Sequence, residues 1–110
     1  MSANVNPELQ HYLDRPLPDL MAELDLYGEP SKGLGDAWHK IAGPVRQRIC
    51  DEWGWCQVRQ DARFENDYDL GVAVLAVLSS RVLHLPFDAD LALITAILVK
   101  RGLDVFCGCA

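Results

Sequence analysis

No stretch of this 110-residue chain reaches the ~18 uninterrupted apolar residues that cross a bilayer, because Ser79, Ser80 and Arg81 end one apolar run and Lys100, Arg101 and Gly102 end another. A membrane span is therefore excluded as a reading. Positive charge is also scarce: the formal net charge is −6, and no basic run is longer than Lys100-Arg101. Nucleic-acid backbones are bound through a concentrated positive face that releases counterions, so no nucleic-acid partner is expected. The first residues, Met1 to Asn6, lack the basic start and apolar stretch of a secretory signal. That predicts a cytoplasmic protein whose four cysteines stay reduced, as thiols or metal ligands.

Catalytic signatures are missing as well. The chain holds no G-x-S-x-G, H-E-x-x-H, phosphate-loop or dinucleotide fingerprint, and His11, His39 and His84 are scattered with no carboxylate or cysteine at a catalytic spacing. Asp61, Glu65, Asp67 and Asp69 match neither a calcium loop nor a paired-carboxylate site, so they read as caps and solvated charge. The expectation is a protein with no enzymatic activity and no cofactor.

Strand-like alternation is absent too, whereas helix punctuation recurs, which predicts an all-α fold. The expected architecture is a single domain, a compact bundle of five to six short helices near 7–14, 18–27, 36–42, 44–60, 67–83 and 88–101, ending in a C-terminal apolar helical hairpin. Asn6-Pro7 and Pro18 mark two starts, and Gly28 with Pro30 a stop, followed by a linker at 31–35. Asp36 is the expected cap of the third helix, Pro44 the start of the fourth, and Asn66 or Asp67 the cap of the fifth.

What the chain has in abundance is apolar helix. The runs Leu70 to Leu78 and Leu91 to Val99 carry apolar or small residues on every side. A chain of this mass folds with roughly 6,100 Å² of surface, room for about one helix buried all round, so the second should need a partner. Projected at helical pitch, Ala73, Ala76 and Ser80 line a small side of one run, and Ala89, Ala92 and Ala96 a small side of the other. These are expected to meet in a close hairpin with Ala76 near Ala92 and Ala96, leaving the bulky sides facing outward.

The leading functional expectation is a cytoplasmic protein-protein interaction module, an adaptor or regulatory subunit, that forms a homo-oligomer or docks through its C-terminal helices. Leu91, Ile94 and Leu98 are the candidate contacts there. Arg48, Trp55 and Arg59 fall on one side of the predicted 44–60 helix, away from Val45 and Ile49, and form a second candidate interaction stripe, since Trp and Arg dominate binding hot spots. Cys50, Cys56, Cys107 and Cys109 form the alternative, a zinc or thiol-redox domain. On a continuous helix Cys50 and Cys56 point about 120° apart, so a tetrahedral site requires Gly54 to interrupt that helix. A further alternative is a carrier for an apolar small molecule held in a pocket lined by Leu78, Leu91 and Ile94.

Overall fold

The computed structural model describes residues 7–28 and 35–109. The Asn6 cap, Pro30 and linker residues 31–34 lie outside them. The fold is all-α, with seven α-helices and no strand among the described residues. In chain order these are α1 (Pro7–Leu13), α2 (Leu17–Tyr27), α3 (Asp36–Arg46), α4 (Trp55–Val58), α5 (Asp67–Ser79), α6 (Leu91–Arg101) and α7 (Leu103–Cys107). The accessible surface is 6257 Å², close to the value expected for a compact chain of this mass.

One helix forms the centre. Residues Ala92 to Leu98 of α6 are all buried, with α1, α2, α5 and α7 packed around them. Leu93, Ile94, Ile97 and Leu98 have no exposed surface, and burying side chains of this size stabilises by about 1.5–3 kcal/mol each. Asp90 starts α6 by accepting from the Ala92 amide at 2.9 Å, while its other oxygen accepts from the buried Tyr12 hydroxyl at 3.1 Å, tying α1 to the helix start. Burial pushes the Tyr12 hydroxyl pKa up, so it stays a donor.

The expected helix hairpin is corrected in three respects. The connection between α5 and α6 takes residues 80–90, not four residues, because Ser80 closes α5 through its hydroxyl on the Val77 carbonyl and Asp90 opens α6 late. Next, α5 turns its bulky side inward: Leu70, Val74 and Leu78 are buried together with Gly71, at which a Cβ would come within 3.2 Å of Leu9 Cδ2. Its small side, with Ala76 exposed, faces out, so Ala76 does not share a seam with the buried Ala92 and Ala96. Finally, of the described helices only α6 is enclosed all round. The apolar burial gained by seating three large side chains of α5 outweighs the closer approach that its alanines would allow.

The expected helix over 44–60 is corrected as well. Pro44 lies inside α3, which continues into a π-turn over Gln47–Glu52. Gly54, at φ +74°, then stops the run in the left-handed region, and the short α4 sets off in a new direction. The start of α3 is also capped from elsewhere: the buried Asp25 of α2 accepts from the amides of Gly35 (2.9 Å) and Ala37 (3.2 Å), while Asp36 pairs with Lys40 one turn on (3.2 Å). Asn66 caps α5, as expected, by accepting from the Asp69 amide.

Candidate interaction surface

The break at Gly54 decides the chemistry of the cysteines. It redirects Cys56 so that two disulfides form, Cys50–Cys107 and Cys56–Cys109, with Cα atoms 5.4 and 5.5 Å apart. The expectation of reduced thiols is corrected here, and so is the metal reading: a bonded cysteine presents no thiolate to zinc, and no cysteine is free. Among the described residues no group of three or more His, Cys, Asp or Glu is placed to hold an ion. The clasp fastens α7 to the π-turn and α4. The even cysteine count was a usable signal for this.

Two members of the Arg48, Trp55, Arg59 stripe are buried, contrary to their expected place on the surface. Arg48 is 7% exposed, and the widened π-turn delivers its guanidinium to the end of α5. There it donates to the carbonyls of Leu78 (3.3 Å), Arg81 (3.1 Å) and Val82 (3.0 Å), with Glu52 beside its Nε at 3.2 Å. It thus satisfies carbonyls that a helix C-terminus leaves open. Trp55 is 5% exposed and donates from Nε1 to Asp104 of α7 at 2.8 Å. Arg59 pairs with the same carboxylate at 3.3 Å. Trp53, Trp55 and Phe64 form an aromatic cluster with ring centroids 5.5–5.7 Å apart. The 3.6-residue projection failed for these residues because a π-turn and a left-handed glycine reset the phase between Arg48 and Trp55.

Of the contacts expected on the last helices, Ile94 and Leu98 are fully buried in the core and Leu91 is half-buried. The supposed outward bulky face of α6 is therefore the middle of the protein, because α1, α2, α5 and α7 close over it. Leu78 and Leu91 do line a cavity of about 380 Å³ under residues 82–89, together with Leu85 and Phe87, but Ile94 does not. His11, His39 and His84 are all exposed, and Cys50 is engaged with Cys107.

The apolar surface left over lies on the outside of α5. Val72, Ala73 and Val77 are half-buried and Ala76 is exposed. Two depressions meet at Ala76. One, of about 340 Å³, is bounded by Trp53, Val77, Glu52 and Arg81; the other, of about 330 Å³, by Phe64, Tyr68, Val72 and Asp69. Together they form a shallow apolar groove along the helix with charges of both signs at each end. Compared with known proteins, the chain matches no family model, and no curated protein or solved structure shows significant similarity to it.

Proposed function

We propose that this chain is a non-catalytic interaction module that pairs with a second copy of itself through the outer face of α5. The observation that carries the reading is the groove centred on Ala76: an apolar helix whose inner side is spent on the core and whose outer side keeps Val72, Ala73, Ala76 and Val77 within reach of solvent. Small residues at the middle let a facing helix approach closely. A two-fold contact is self-complementary, so the Arg63 and Asp69 end of one copy would meet the Glu52 and Arg81 end of the other, cation against carboxylate. Helix α5 has 13 residues, about 20 Å of length at 1.5 Å per residue. With Trp53, Phe64 and Tyr68 on its flanks this suits a small, reversible interface near the low end of the usual size range.

The two disulfides favour an oxidising compartment over the cytoplasm as the place where the module works. Sedimentation equilibrium of the oxidised chain tests the pairing. The parent is expected to dimerise at micromolar concentration, and Ala76→Arg to sediment as a monomer with an unchanged helical spectrum. A parent that stays monomeric up to about 100 μM, weaker than most specific associations, would remove the reading.

A further inference from the structure

A second surface, on the other side of the clasp, has a different chemistry. In a chain of net charge −6, cations should find carboxylates easily, and most do. Arg15 pairs with Glu23, Lys40 with Asp36, Arg48 and Arg81 with Glu52, Arg59 with Asp104, and Arg63 with Asp61. Among the described residues, the cations with no carboxylate in ion-pair reach are Arg46, Lys100 and Arg101. All three line one depression of about 480 Å³ between the end of α3 and the α6–α7 corner.

Two of them are held there by aromatic rings instead of by acids. The Arg46 guanidinium lies 4.6 Å from the Phe106 ring centroid, and the Arg101 guanidinium lies 5.4 Å from that of Trp38. The two rings contact each other at 5.6 Å, so the guanidiniums bracket an aromatic pair. Arg46 Nε also donates to the Phe106 carbonyl at 3.3 Å, which fixes the plane of its fork and leaves the terminal nitrogens open. A cation held over a ring keeps its full charge and its N–H donors, whereas one held by a carboxylate is neutralised. The α6 dipole by itself favours Lys100 and Arg101 at that helix end. It does not account for Arg46, which arrives from another helix.

We infer that this depression binds a small oxyanionic molecule carrying two or more negative charges, a phosphate ester or a polycarboxylate. Its volume is in the range of small-ligand sites, and forked guanidiniums match the geometry of both oxyanions. The site lies apart from the α5 groove and does not depend on dimerisation. Isothermal titration of the oxidised 110-residue chain with inorganic pyrophosphate and, separately, with citrate tests it, and the stronger of the two identifies the oxyanion class. At least one is expected to bind, more weakly as salt rises. Affinity should fall at least tenfold in Arg46→Gln/Arg101→Gln and about threefold in Lys100→Gln, which touches no packing and keeps the assay valid if the double variant fails to fold. Arg15→Gln, whose cation is paired with Glu23 and lines neither the depression nor the α5 groove, should bind like the parent. Failure of both probes at millimolar concentration would overturn the inference, as would binding that Lys100→Gln leaves unchanged.

Discussion

Replacing Arg48 with methionine separates a structural from a recognition role for this residue. Methionine keeps the apolar stem and removes the guanidinium, so the carbonyls of Leu78, Arg81 and Val82 lose their donor. A hydrogen bond to a charged group contributes about 1.5–3 kcal/mol when its partner is buried. Only the bond to Leu78 is buried, and the carbonyls of the exposed Arg81 and Val82 can turn to water, which limits their share to about 0.5 kcal/mol each. Removing a buried charge also recovers some desolvation cost. The net loss is expected at about 2–3 kcal/mol, or on the order of 10 °C in melting midpoint for a domain of this size. Arg81→Met is the control: it keeps its backbone carbonyl and loses an exposed pair with Glu52, so it should cost less than about 1 kcal/mol. Urea unfolding followed by circular dichroism, without reductant, compares the three proteins. If Arg48→Met unfolds within about 0.5 kcal/mol of the parent, the capping argument is wrong and the guanidinium is free for a partner.

The clasp, an orphaned hydroxyl and a carboxylate pair give further tests. Closing a loop of 57 residues by Cys50–Cys107 stabilises by about 4 kcal/mol on chain entropy, but the second bond then closes only a small ring through 50–56 and 107–109, about 2.5 kcal/mol. Removing either disulfide as a serine pair should cost about 2–3 kcal/mol, and full reduction more than the two single losses combined; calorimetry showing simple additivity would refute the shared-ring argument. Thr95 is fully buried on α6, and its hydroxyl has no hydrogen-bond partner among the described residues. Thr95→Val keeps the shape and should stabilise by about 1 kcal/mol in denaturant unfolding, so a loss of stability would reveal a partner for the hydroxyl. The Asp90 carboxylate holds the Glu8 carboxyl above its ordinary value, so the folded chain keeps that proton more tightly than the unfolded chain and loses stability as pH rises through the range between the two. Melting curves of Glu8→Gln should lie above the parent at neutral pH and coincide with it in acid. Coincidence at both pH values would dismiss the repulsion.

Local chemistry made much of the fold legible in the sequence. Pro18, Asn66 and Gly102 mark helix ends because capping and proline geometry depend on a few neighbouring residues, and the absence of alternation was enough for the all-α class. Surface scaling likewise allowed one helix to be buried all round, and one is. Tertiary structure decided which helix, and which way α5 faces, since that depends on the shape of α1 and α2 around α6. The sites were less legible. Arg48 and Trp55 went from expected surface to interior because a π-turn and the left-handed Gly54 shift the helical phase, and no residue preference signals a π-turn in advance. Gly54 could be named beforehand as the residue on which the cysteines depend. Only the folded chain brings Cys50 and Cys56 to Cys107 and Cys109, and Arg46 to Lys100 and Arg101, because each of these meetings joins segments some fifty residues apart, where spacing along the chain carries no information about distance in space.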